Sequence, residues 1–191
     1  MKKTNSIVSI ALTSLFLLLI MVQTGCKEDS PEPTGTSDFN VSLKSSFSSR
    51  ASYDSINIDI QKVSIHSSTD TSSTSGWFDL ETNTGIYNLI DYTSGNDTIM
   101  AIDSLLAVQT VSQIRLLLGN NNTIVDNGVS YDLETPSAQT SGLKIQVNAE
   151  LQPNTKYKVV LNFDPDASII KTGNNKYKLK PVIDADVVVV Q

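Results

Sequence analysis

The chain has 191 residues, 20 of them acidic and 14 basic, for a formal net charge of −6. That length suits one domain with its own core, and an acidic balance with scattered lysines excludes the electrostatic footprint of a nucleic-acid binder. One cysteine and one histidine exclude a disulfide framework, a thiolate metal cluster and a His-rich zinc site.

The N-terminus reads as an address. Lys2 and Lys3 precede an apolar run from Ile7 to Val22, which leads into Gln23-Thr24-Gly25-Cys26. The run is short for a membrane span of about 20 residues and fits a signal peptide. Thr24-Gly25-Cys26 resembles a bacterial lipobox, with Gln23 in place of the usual Leu. That resemblance implies a diacylglycerol on the Cys26 thiol and, with further acylation of the new N-terminus, a firm anchor. Lys27-Glu28-Asp29 resembles the export signal that sends lipoproteins of some Gram-negative lineages to the outer face of the outer membrane. Pro31 and Pro33 lie in a polar linker, Ser30 to Ser37. The expected organisation is a signal peptide over 1–25, a lipidated tether over 26–37 and a domain over 38–191.

Alternation dominates that domain. Phe39, Val41 and Leu43 share one face of a first strand, and Ile56, Ile58 and Ile60 one face of a second. Val63 and Ile65 continue the second apolar set with opposite parity, which predicts a β-bulge near Gln61-Lys62. Ser67 to Ser75 is a polar loop, and Trp77, Phe78 and Leu80 begin a short buried strand. Ile86 to Ile90 and Ile99 to Leu106 suit either strands or helical turns. Val111, Ile114, Leu116 and Leu118 mark a core strand. Thr123 to Leu133 reads as a hairpin about Asn127-Gly128. Leu143 to Ala149 alternates, Pro153-Asn154 turns, and Tyr157 to Phe163 alternates again. The final run, Tyr177 to Val190, ends in continuous valine, as expected of a strand covered on both faces. The fold class is all-β, an antiparallel Greek-key-like β-sandwich, although periodicity alone also permits a barrel.

Six segments in order resemble the bacterial family named domain of unknown function 4382. They are Gly76-Trp77-Phe78-Asp79-Leu80, Tyr87-Asn88-Leu89-Ile90-Asp91, Gln113-Ile114-Arg115-Leu116, Pro136 to Ile145, Asn162-Phe163-Asp164 and Tyr177 to Ile183. Ala138 and Val108-Gln109-Thr110 stand where the family usually has glycine. The resemblance implies a lipid-anchored sandwich of the cell envelope and brings no substrate or catalytic residue.

Candidate chemistry is sparse. His66 reads as an exposed strand-end histidine, since no Gly-x-Ser-x-Gly elbow accompanies it. Ser141-Gly142-Leu143-Lys144 matches Ser-x-x-Lys, but extended backbone would send Ser141 and Lys144 to opposite faces. Asp164 and Asp166, and likewise Asp184 and Asp186, offer oxygens for calcium, with turn capping as the ordinary role of Asp164. Trp77, Tyr92 and Tyr131, with Phe78 and Tyr87, are candidates for a sugar-stacking platform, Trp77 itself being expected in the core. Thr98 and Ser104, within Asp97-Thr98-Ile99 and Asp103-Ser104-Leu105, resemble O-glycosylation acceptors of envelope proteins. The expected function is a non-enzymatic surface lipoprotein with no cofactor beyond the lipid on Cys26. Its expected partners are the membrane, through that lipid, and an extracellular glycan or an envelope protein. A structural envelope component is the alternative, and a carboxylate-based hydrolase the third.

Overall fold

A computed structural model describes residues 35–47, 53–67, 76–93, 95–106 and 110–190. Cys26, Lys27, Glu28 and Asp29 lie outside the described residues, as do the rest of the predicted leader, most of the tether and loop residues 68–75.

Two mixed sheets form a β-sandwich. The first is ordered β14-β11-β1-β6-β4. It is built on β1 (Thr36–Ser45), β4 (Glu81–Thr82), β6 (Thr98–Leu106), β11 (Lys156–Phe163) and β14 (Ile183–Val190). Alternation forms it: Phe39, Val41 and Leu43 lie opposite Tyr157, Val159 and Leu161, and all six are buried. β1 begins at Thr36, inside the stretch expected as tether.

The second sheet is organised around β2 (Tyr53–His66). One edge of β2 carries β7 (Thr110–Leu118) and then β8 (Thr123–Asp126); the other carries β3 (Trp77–Asp79) and β5 (Gly85–Asn88). β10 (Leu143–Glu150) pairs with β7, while β9 (Val129–Glu134), β13 (Lys176–Leu179) and β12 (Ile169–Thr172) extend the far end. Ile60 faces Leu118 and Lys62 faces Leu117, so Gln61 is the extra residue of the expected bulge. That bulge is why Ile56, Ile58 and Ile60 can share the core with Val63 and Ile65. Asn127 and Gly128, at φ 52 and 76, make the predicted hairpin turn.

Several expectations are corrected. The sheets are not purely antiparallel, because β1 runs parallel to β11 and β9 parallel to β13. The stretch 99–106 is strand throughout, whereas Leu89–Tyr92 forms a 3-10 turn capped by Asn88. The terminal run is two strands in different sheets, broken at Lys180-Pro181-Val182, where Pro181 has no N–H for a ladder. Its valines are not covered: β14 stands at the end of its sheet, and Val187 to Val190 are 37–56% exposed.

Candidate functional site

Pairing registers place two rows of side chains across the outer face of the second sheet. Asp79 on β3 lies opposite Ser64 on β2, Ser64 opposite Arg115 on β7, and Arg115 opposite Lys144 on β10. The next row runs Trp77, His66, Gln113 and Gln146. Since Val63, Ile65, Ile114 and Leu116 fill the core between these positions, alternation turns both rows outward.

The indole of Trp77 is the hub. The Arg115 guanidinium lies 4.1 Å from its ring centre and the Lys144 Nζ 5.7 Å, both within cation–π range. His66 lies beside the same ring at 5.0 Å and is fully buried, its Nδ1 3.0 Å from the Ser112 hydroxyl. The expectation of an exposed His66 is therefore overturned, because β3 pairs with the end of β2 and covers the imidazole. Trp77 itself is half-buried on the outer face rather than in the core, and its neighbour Phe78 is 50% exposed.

Asp79 supplies the one carboxylate of these two rows. It accepts from Lys62 Nζ at 2.6 Å and Ser64 Oγ at 2.7 Å, bonds that hold its carboxyl below the usual range, the lysine contributing most. A cavity of about 280 Å³ opens beside this pair, lined by Lys62, Ser64, Asp79, Arg115, Thr140 and Ser141, with Leu117. Among the described residues of this face, Lys62, Arg115 and Lys144 outnumber Asp79. An otherwise acidic chain thus presents a locally cationic, hydroxyl-rimmed surface. Gln113 is 5% exposed, and its Oε1 has no hydrogen-bond partner among the described residues.

Ser141 borders the cavity and Lys144 reaches over Trp77, so the two do not face opposite ways. Ser141 precedes Gly142, whose φ of +73 interrupts strand alternation, and the residues before it form a short helix, Pro136–Thr140. A Cβ on Gly142 would stand 2.6 Å from Arg115 Cγ, so glycine lets this segment close against the arginine stem. Three of the segments that carry the family resemblance, around Trp77, Arg115 and Gly142, thus meet at one place.

The other candidates are dispersed. Tyr92 lies in the 3-10 turn with its ring 6.1 Å from Tyr87. Tyr131 is at the far end of the second sheet, 5.2 Å from Tyr177, which Tyr53 meets edge-on at 6.1 Å. There Tyr177 donates to the Asp126 carboxylate, which also takes Lys171 Nζ at 2.8 Å. Trp77 and Tyr131 belong to opposite ends of β2 and share no platform.

Asp164 caps the short helix Pro165–Ser168, accepting from Ala167 N at 3.0 Å, and Asp166 is exposed. Asp184 and Asp186 are exposed on β14, where Asp186 accepts from Asn162 Nδ2 at 2.7 Å. Among the described residues no group of three or more His, Cys, Asp or Glu could hold a metal ion. Thr98 is half-buried and Ser104 exposed on β6. Sequence reasoning missed Arg115 and Lys62. The signal was available: each is a cation whose parity turns it away from the apolar residues beside it.

These features define a β-sandwich with a cationic aromatic patch on one outer face. Residues 36–181, well over half of the chain, match the family described as Domain of unknown function (DUF4382), and the chain belongs to it. No curated protein and no solved structure matches the chain.

Proposed function

We propose that this chain is a lipid-anchored outer-membrane protein, facing the cell surface, whose sandwich binds an acidic extracellular glycan on the outer face of β3, β2, β7 and β10. The anchor rests on the sequence alone: Lys2 and Lys3, the apolar run, Cys26 and the Lys27-Glu28-Asp29 run after it. The observation that carries the binding reading is the placement of Arg115 and Lys144 over Trp77 beside the cavity.

A carboxylate- or sulfate-bearing sugar matches that surface in kind. Arg115 offers a planar fork to an anion and Lys144 adds charge without fixed geometry, while Lys62 is balanced by Asp79. Thr140 and Ser141 at the cavity rim supply partners for sugar hydroxyls, and the exposed part of the indole offers an apolar face. Asp79, the one carboxylate of the patch, is bound to Lys62 and Ser64, an arrangement that favours binding over hydrolysis.

Two experiments test this reading. Trp77 is the single tryptophan, so the detergent-solubilised full chain can be titrated with polygalacturonate, dextran sulfate and neutral dextran while its emission is followed. Saturable, salt-sensitive changes with the two anionic polymers, lost in R115Q/K144Q, are expected; an equal response to neutral dextran, or none to any, rejects the site. Protease shaving of intact cells should remove a C-terminal tag from the parent but spare a variant with Lys27, Glu28 and Asp29 all changed to Ala. Protection of both rejects the surface assignment.

A further inference from the structure

β14 ends the first sheet, and among the described residues no strand pairs with its outer edge. Its sequence, Ile183-Asp184-Ala185-Asp186-Val187-Val188-Val189-Val190, is unusual for such a position. Free edges are ordinarily blunted by charged side chains, proline, a bulge or brevity, because unpaired N–H and C=O groups template another strand; here Asp184 and Asp186 guard only the first half of β14. β14 is eight residues long, pairs with β11 without a register shift, and exposes four consecutive valines. A regular, apolar, open edge of this kind is built to be covered.

We infer that a second copy of the chain covers it, through antiparallel pairing of β14 with β14 about a two-fold axis at Val187. Charge favours this occupant and an axis in the valine half, of which Val187 keeps the most residues paired. Directly opposite residues in an antiparallel pair share a face, so Val187 on the axis sets Asp186 opposite the partner copy's Val188, and Asp184 opposite its Val190. No acid then meets an acid, whereas parallel pairing in register would stack Asp184 on Asp184 and Asp186 on Asp186. Beside the valine half, β11 places Lys158 next to Val188 and Lys156 next to Val190, where their charges are met by Asp97 and Asp38. Each acidic half therefore arrives over a charge-balanced half of the other copy rather than over a second acidic half, and the symmetry makes the match twice. Residues 30–34 of the same chain are a poor alternative. Pro31 and Pro33 cannot complete a ladder, and Glu32 would add a third acid beside Asp184 and Asp186.

Pairing would fuse two five-stranded sheets into one of ten strands. The inference is argued from β14 alone and does not rest on the glycan reading. Two patches carried on one rigid unit would raise avidity for a repeating polymer.

The full chain in its native membrane supplies the test. Val187→Cys puts a thiol on the axis, where opposed Cα atoms about 4.5–5.5 Å apart are within disulfide reach. Mild oxidation should convert this variant to a covalent dimer on a non-reducing gel, while the parent chain and Val129→Cys, exposed on the far hairpin, should not. Adding V188D to the Val187→Cys chain opposes two aspartates twice and should reduce the dimer about tenfold. D186K in that background faces each new aspartate with a lysine and should restore it. A Val187→Cys yield no higher than that of Val129→Cys would overturn the inference, as would an undiminished dimer with V188D. Failure of D186K to rescue would overturn the register.

Discussion

The guanidinium of Arg115 lies 4.1 Å from the centre of the Trp77 ring, across the intervening strand β2. β3 is three residues long, and its pairing with β2 covers only Ser64 to His66. The contact between Arg115 and Trp77 ties this short edge to the middle of the sheet. A cation–π contact at a partly exposed site contributes about 0.5–2 kcal/mol. R115A is expected to destabilise the domain by that order and to shift Trp77 emission to the red as the ring gains water. R115K keeps the charge but loses the planar stack, and should fall between parent and R115A. A double-mutant cycle with W77A, read by urea denaturation, isolates the pair; a coupling indistinguishable from zero would assign the destabilisation to Arg115 packing elsewhere.

Gly142 is predicted to be irreplaceable for the same patch. At φ +73 an alanine costs about 1–2 kcal/mol in backbone strain. Its Cβ would also meet Arg115 Cγ at 2.6 Å and the Leu116 carbonyl at 3.0 Å. G142A should therefore lower stability and move Arg115 off the indole, changing Trp77 emission in the same direction as R115A. Unaltered emission in a destabilised G142A would separate the strain from the patch.

The legible parts of the fold were those set by short-range pattern. Period-two alternation located the β1 and β11 core residues, the parity change after Ile60 located the bulge at Gln61, and Asn127-Gly128 located a turn. Pairing partners were not legible, because alternation says which face a residue takes and nothing about its neighbour strand. Hence the parallel pairing of β1 with β11 was missed. The valines of β14 misled for the same reason: a continuous apolar run signals two covered faces only when the strand is central, and β14 is an edge. His66 failed through a contact eleven residues away, the Trp77 strand laid across it. The patch was half visible, since Trp77 and Lys144 stood out as residue types while Arg115 was hidden inside a core-strand motif.

A second glycine prediction concerns the join between β7 and β8. Asp59, buried on β2, accepts from Gln61 Nε2 at 2.5 Å, from Asn121 N at 3.2 Å and from Asn121 Nδ2 at 3.1 Å; its own N–H donates to Asn122 Oδ1 at 2.9 Å. These bonds hold residues 119–122 against the edge of β2 between the two strands. Any Cβ at Gly119 would stand 2.2 Å from the Asp59 carboxylate. G119A should therefore cost roughly 1–3 kcal/mol through overpacking, read as a lower urea midpoint. D59N leaves the space unchanged, so a D59N loss as large as that of G119A would mean that charge, rather than volume, governs the join.

Acid should weaken the domain in a definite window. Asp79, Asp97 and Asp126 all have carboxyls held below the ordinary value of 3.8, chiefly by hydrogen bonds from Lys62, Lys158 and Lys171 respectively. A carboxylate with a depressed folded pKa binds protons more readily in the unfolded chain. The stability it contributes is therefore complete above pH 3.8 and is lost as pH falls through the lower folded values. Urea midpoints should stay level in these three contributions from pH 7 to about 5, then fall steeply below about 4. The Lys62–Asp79 side chains are 45% and 55% exposed, so solvent limits that pair to about 0.5 kcal/mol or less. D79N should accordingly shave only a small part from the acid limb, whereas a triple D79N/D97N/D126N variant should flatten it. An acid limb unchanged in the triple variant would place the titrating groups elsewhere in the chain.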